Sequence, residues 1–313
     1  MIKNCISELS DTIKKVNLLN SIFIFYLNFD FLMKLFTLPN LLTASNLFCG
    51  LLSVICSVTG RLDWAPILLL FAAFFDFLDG FAARLFKSNS ELGKQLDSLA
   101  DVVSFGVAPG IMMMVVLVVT INFGGPVYNP EAFSSHVHYE WNTWVNALFY
   151  DVPNGMDASI KYFPLLALIV PILSMFRLAK FNIDSRQTYG FLGVPTPLNT
   201  LFLTFFPLLL WVDFERWSID PRPYLYIFDT YVVGAITVIM AFLMITEVPL
   251  MALKFASFGW AENKLKYSFL FLSIILIVGL KVWAIPLIVF LYLTLSIFNF
   301  TIQKQKNEIQ SRN

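Results

Sequence analysis

Charge is scarce in this sequence. Only 13% of its 313 residues are Asp, Glu, Lys or Arg, acids and bases balance at 21 each, and two histidines are present. Such a balance offers no basic face to a nucleic-acid backbone, and no RNA- or DNA-binding motif appears, so a nucleic-acid partner is not expected. Cysteine is scarcer still, at Cys5, Cys49 and Cys56. The last two lie in one apolar run, which argues against structural disulfides and against a C-x-x-C zinc site. His136 and His138 form an isolated H-x-H with no Cys nearby, a pattern that suits a solvated loop better than half a metal site. Internal repeats and low-complexity linkers are also lacking, so one domain is expected.

What is present is apolar. The chain is 58% hydrophobic and 16% aromatic, with a mean hydropathy of +0.73. Apolar segments of about 17–25 residues are candidate membrane spans. Eight can be read, roughly Leu41–Val58, Trp64–Phe86, Asp97–Ile121, Tyr162–Ala179, Leu198–Val212, Tyr226–Leu253, Tyr267–Lys281 and Val282–Phe300. The last two are short and joined by a tight connection near Lys281–Trp283. Prolines at 109, 171, 207, 249 and 286 are expected to kink helices or mark their ends, with neighbouring helices satisfying the freed backbone groups. The expected fold is all-α, a polytopic transmembrane bundle. It comprises an N-terminal extension over 1–34, a membrane domain over 35–303 and a tail over 304–313. Within the extension, Ser21–Leu32 is apolar but too short to span. It either lies along the membrane interface or precedes a natural start at Met33. Gly124–Lys161 reads as an irregular outward loop whose Tyr139, Trp141, Trp144 and Tyr150 suit an interfacial aromatic layer.

Lysine and arginine set the orientation. With the segment before the first span inside, the inner segments carry Lys34, Arg84, Lys87, Lys94, Arg177, Lys180, Arg186, Lys254, Lys264, Lys266, Lys304, Lys306 and Arg312. The outer segments carry only Arg61, Lys161, Arg216, Arg222 and Lys281. That bias predicts an integral membrane protein with the segment before its first span on the cytoplasmic side.

Against this apolar background stand four carboxylates, Asp76, Asp79, Asp97 and Asp101. A charged side chain within a span costs roughly 2.5–3.5 kcal/mol on insertion scales and marks a functional site by default. Four acids together repel one another in a low dielectric, and a bound divalent cation, or two, is the simplest remedy. Asp76 and Asp79 are spaced i,i+3, Asp97 and Asp101 i,i+4, so each pair shares a helical face. Gly80 and Ala83 leave the first of those faces without bulk, and phosphates can approach the backbone there. Oxygen-only ligation suits Mg²⁺ or Mn²⁺, and those ions suit phosphate chemistry. The orientation places this cluster toward the cytoplasm.

The stretch Asp76-x2-Asp79-Gly80-x2-Ala83-Arg84-x8-Gly93-x3-Asp97-x3-Asp101 resembles, position for position, the signature of the CDP-alcohol phosphotransferase family. The upstream Pro39-Asn40-Leu-Leu-Thr43-Ala-Ser-Asn46 segment is similar to the first helix of its phosphatidylserine synthase branch. So are Ser98–Pro109, Phe176–Asn182 and Gly193–Pro197. Met33–Asn40 resembles the start of shorter relatives. The resemblance implies a six-helix core with two added helices, a homodimer, and transfer of a phosphatidyl group from CDP-diacylglycerol to L-serine with release of CMP. It implies that Asp76 and Asp97 bridge two divalent cations, that Asp79 and Asp101 each complete one site, and that Asp101 is also the general base. It nominates Asn40, Thr43 and Ser90 for the CDP moiety, with Pro39 shaping the helix entry. Asn46, one turn from Thr43, adds a neutral donor. Gly80 and Ala83 receive the nucleotide, and Arg84 either pairs with a phosphate or anchors its helix.

Serine is a zwitterion and needs a cation for its carboxylate. Arg177 and Lys180, i,i+3 at the inner end of the fourth span, with Asn182 close behind, are the candidates for serine or for a lipid phosphate. The alternatives are the same chemistry on glycerol phosphate or inositol phosphate, whose extra phosphate calls for more cationic residues, and a cation transporter or channel. The latter leaves Gly93, its eight-residue spacer and the Gly80/Ala83/Arg84 trio unexplained.

Overall fold

A computed structural model describes residues 36–87, 90–123, 132–150, 158–183, 191–251 and 259–310. The extension expected over 1–34 and residues 124–131 and 151–157 of the outward loop lie outside these. The described chain is a helical bundle, with one two-residue antiparallel bridge pairing Phe191 with Leu250 and Leu192 with Pro249. Its stretches long and apolar enough to cross a membrane are α1 (Leu38–Val58), α2 (Ala65–Leu85), α3 (Glu91–Ile121), α5 (Phe163–Ile183) and the stretch Asn263–Phe300. Two shorter apolar helices, α6 (Thr196–Val212) and α7 (Thr230–Ile245), join them. The chain is an integral membrane protein by these features.

The expected tight connection at Lys281–Trp283 is there. It divides the final apolar stretch into α8 (Trp260–Leu280) and α9 (Ala284–Gln310), with Lys281 at φ 51°. Phe269 and Tyr292, nearly equidistant from that turn, bring their rings to 5.8 Å, so the chain doubles back. The outer faces of this hairpin, including Phe271, Ile274 and Val278, are exposed, as lipid-facing side chains should be.

The outward loop is corrected. Phe133–Phe149 is a helix, α4, that buries Phe133, His136, Val137, Glu140, Trp144 and Ala147 along one side. Its polar residues obscure that stripe in the sequence. His136 packs its ring against Trp217 at 5.8 Å, whereas His138 is exposed and bonded to Asn142. The two imidazoles thus do not share a site. Burial lowers the pKa of His136 and raises that of Glu140, which accepts a hydrogen bond from Asn122 at 2.6 Å. Of the expected aromatic layer, Tyr139 and Tyr150 are exposed. Trp144 is buried and donates to the Lys161 carbonyl at 2.9 Å.

Two features of the packing position the site. First, α1 is inverted: it buries Pro39, Asn40, Thr43, Asn46, Gly50, Ser53 and Ser57 and exposes Leu41, Phe48, Leu51 and Ile55. Small and polar residues at the helix interface with apolar ones toward lipid are what a membrane bundle requires. A Cβ on Gly50 would lie 2.5 Å from Ser104 Oγ and 2.8 Å from its Cα, so α1 meets α3 there almost backbone to backbone. Gly50→Ala is therefore expected to cost about 1–3 kcal/mol through overpacking. It should also loosen the polar contacts one turn away, read as a lower melting temperature in detergent together with lower activity.

Second, α3 is the axis of the bundle, with Met112–Val119 buried on all sides. It contains a π-turn at Val103–Val107. Pro109 has no N–H to give the carbonyl four residues earlier, that of Phe105. Hydroxyls from neighbouring helices take over: Thr200 donates to Phe105 O at 3.2 Å and Ser174 at 3.4 Å. The π-turn and these two donors tie α3 to α5 and α6 one turn beyond Asp101.

Candidate active site

Three of the four aspartates converge. Asp76 on α2 and Asp97 and Asp101 on α3 each offer a carboxylate oxygen, all within 4.8 Å of one another. The helical spacings produce this directly. Asp76 faces across the α2–α3 contact, and one turn of α3 separates Asp97 from Asp101. Asp79, one turn along α2, is buried and accepts a hydrogen bond from Thr43 Oγ1 at 2.7 Å. Asp101, 8% exposed, accepts one from Asn46 Nδ2 at 3.2 Å. Ser104 in turn donates to the Asn46 carbonyl at 3.1 Å, fixing the α1–α3 register at that level.

The donor set fits a hard divalent cation. Among the described residues, no Lys or Arg ion-pairs with Asp76, Asp97 or Asp101, and Asp97 Oδ1 is buried without a hydrogen-bond partner. Crowded carboxylates with an unmet acceptor and no ion-pair partner among the described residues suit added positive charge, such as a bound cation.

Beside the cluster is an open pocket of about 410 Å³. Pro39, Asn40 and Thr43 of α1, Asp79, Gly80 and Ala83 of α2, and Ser90, Gly93 and Asp97 from the α3 side line it. A Cβ on Gly80 would meet nothing within 4 Å, so its bare face opens into the pocket. Gly93 is different: a Cβ there would lie 3.0 Å from Ser90 Oγ and 3.2 Å from Asn40 Oδ1. Ser90 caps α3, its hydroxyl accepting from Gly93 N at 2.9 Å. Arg84 is exposed, and its Nε donates to Gly80 O on its own helix at 2.9 Å. Glu91 and Lys94 also line the pocket, and sequence reading did not single them out. Lys94 was findable, being three residues before Asp97 on the same face.

The three residues nominated for serine or a lipid phosphate part company. Lys180 ion-pairs with Glu247 at 3.0 Å, and Asn182 Nδ2 donates to Ser98 Oγ at 2.8 Å, tying α5 to α3. Arg177 alone turns into the protein. It is 8% exposed, its Nη1 donates to Thr196 Oγ1 at 3.3 Å, and its charge is felt by Asp101 and Asp76.

The family model described as CDP-alcohol phosphatidyltransferase matches residues 36–128, the segment that supplies all four aspartates. A Bacillus subtilis protein named CDP-diacylglycerol--serine O-phosphatidyltransferase is 30% identical over 178 residues, which are 55% of this chain and 79% of that protein. A Helicobacter pylori protein of the same name is 32% identical over 56% of this chain and 59% of its own length. An archaetidylserine synthase from Methanothermobacter thermautotrophicus is 30% identical over 55% and 58% respectively. With four-fifths of the Bacillus protein covered and the family model seated on the carboxylate helices, this chain belongs to the CDP-alcohol phosphatidyltransferase family.

Proposed function

We propose that the protein transfers the phosphatidyl group of CDP-diacylglycerol to L-serine, giving phosphatidylserine and CMP. The observation that carries this reading is the convergence of Asp76, Asp97 and Asp101 beside a pocket with a bare glycine floor, in a chain whose relatives bear serine-transferase names. In the reaction, the serine hydroxyl oxygen bonds to the phosphorus that carries diacylglycerol. The bond from that phosphorus to the CMP oxygen breaks, CMP leaves with its electron pair, and the serine proton passes to a carboxylate.

Asp101 is the acceptor of that proton in this scheme. It is the most enclosed of the three, and Asn46 holds its other interactions to a single neutral donor. Asp76, Asp79, Asp97 and Asp101 would hold the two divalent cations, Mg²⁺ or Mn²⁺, that the family resemblance implies. When bound, such ions neutralise the pyrophosphate and the developing charge on the leaving group. The cytidine and pyrophosphate lie along Gly80 and Ala83, within reach of Asn40, Thr43 and Ser90. Pro39 sets where α1 begins, and Arg84 guards the rim. The excess of Lys and Arg at the Lys94–Lys180 end supports a cytoplasmic site in an inner membrane. The membrane-spanning core is taken to work as a homodimer, as the family resemblance implies.

The test is an acceptor screen. Purified protein in detergent, given CDP-diacylglycerol with serine, glycerol phosphate or inositol phosphate in turn, is expected to release CMP and form a new phospholipid with serine. A new lipid with a phosphorylated acceptor only would replace serine in this reading. In the same assay, Arg177→Lys keeps the charge but loses the planar fork that grips a carboxylate at two points. It is expected to raise the KM for serine more than that for CDP-diacylglycerol. Equal losses for both substrates would remove Arg177 from the serine site.

A further inference from the structure

The carboxylate cluster and nucleotide pocket leave a group of buried polar atoms with nothing to do. Asn199, on α6, is 0% exposed, yet neither its Nδ2 nor its Oδ1 has a hydrogen-bond partner among the described residues. Arg177, 8% exposed, has an unpartnered Nε. A buried amide left unsatisfied is costly, so a side chain with two such atoms calls for a polar partner that the protein itself does not supply, a bound substrate or an ordered water.

Its position says which ligand. Thr196, Asn199, Thr200 and Leu203 form the buried face of the first half of α6. Thr196 receives the Arg177 hydrogen bond, and Thr200 donates to the Phe105 carbonyl, one turn of α3 beyond Asp101. Asn199 thus shares its helix face with the residue that meets the arginine and the one that meets the helix carrying the carboxylates, and it is not among the residues that line the nucleotide pocket. A guanidinium with free donor capacity beside an amide with both a donor and an acceptor matches one kind of small molecule, an α-amino acid. Its carboxylate needs donors, its ammonium needs an acceptor, and its hydroxyl must reach Asp101. A phosphorylated polyol would need several cations here and would leave Asn199 Oδ1 facing more oxygen.

We infer that Asn199 is a specificity-determining residue that accepts a hydrogen bond from the substrate ammonium while Arg177 holds its carboxylate. The inference rests on the serine reading above and assigns the residues that select for it.

Asn199→Leu keeps the volume and removes both polar atoms. It is expected to raise the KM for L-serine roughly tenfold or more, the scale for losing a hydrogen bond to a charged group, with the KM for CDP-diacylglycerol unchanged. The sharper readout compares L-serine with 3-hydroxypropionate, which has the hydroxyl and carboxylate but no ammonium. Wild type should prefer serine, and the variant should lose most of that preference. Asn199→Gln, which restores the amide at a longer reach, should recover part of it. Retained discrimination in Asn199→Leu, or a loss confined to kcat and thermal stability, overturns the assignment and leaves a packing role. A wild-type enzyme that ignores serine and uses another acceptor overturns the serine reading and this inference together, so the two failures are told apart by the wild-type lane alone.

Discussion

Asp97→Asn will abolish phosphatidyl transfer, to below roughly a thousandth of the wild-type rate. A cation at a phosphoryl centre supplies several kcal/mol of charge stabilisation, and about 1.4 kcal/mol is tenfold in rate. Asp97 is the member of the converging trio with an unmet buried oxygen, and the only one that also lines the nucleotide pocket. Neutralising it would remove a proposed cation ligand while leaving the side chain's shape. The variant should purify as well as wild type and bind Mn²⁺ more weakly in a direct titration. Asp76→Asn, across the helix contact, should do the same. Chelation with EDTA should silence the wild type, and Mg²⁺ or Mn²⁺ should restore it. Undiminished turnover after exhaustive chelation would end the metal reading.

Asp101→Asn is expected to separate turnover from binding. A general base contributes on the order of 10²–10⁴-fold, so kcat should fall by at least that factor while CDP-diacylglycerol affinity falls far less. The substitution is structurally mild. Asn46 has an unpartnered Oδ1 that can turn to accept from the introduced amide, in place of the Nδ2 that now donates to Asp101. Thermal stability should therefore hold, and a near-normal kcat would move the base elsewhere. Measuring KM for both substrates alongside kcat distinguishes a lost base from a lost ligand.

The reach of sequence reasoning follows physical lines. The aspartates were legible because intramembrane charge is costly and because i,i+3 and i,i+4 spacing is a local property of one helix. Thr43 and Asn46 were legible for the same reason, as polar residues on one face of α1, and they do meet Asp79 and Asp101. The central place of α3 was not. A helix apolar on every side looks the same whether its neighbours are lipid or protein. α4 was missed because its buried stripe includes a histidine and a glutamate. Arg177, Lys180 and Asn182 are close in sequence, yet rotation about α5 sends them to Thr196, Glu247 and Ser98. Asn199 carried no signal. A lone asparagine in an apolar helix acquires meaning only when the packing shows that nothing satisfies it.

The π-turn at Val103–Val107 has a consequence for how the chain tolerates length change. A π-turn holds one residue more than the helix around it, so α3 carries two angular settings. One aims Asp97 and Asp101 at Asp76, and the other fits Met112–Val119 into the core. Each residue of an α-helix advances it by about 100°. Because the π-turn takes up its extra residue locally, deleting one residue between 103 and 107 would let the helix close into regular turns with the carboxylates keeping their facing, whereas deleting one from the regular turn at 108–111 would swing them by that angle away from their partner. The lower half could remain packed, giving a protein that inserts and folds but has lost its catalytic centre. In this chain the spacing between the aspartates and the core is a phase as well as a distance, and the turn at Val103–Val107 lies between the two.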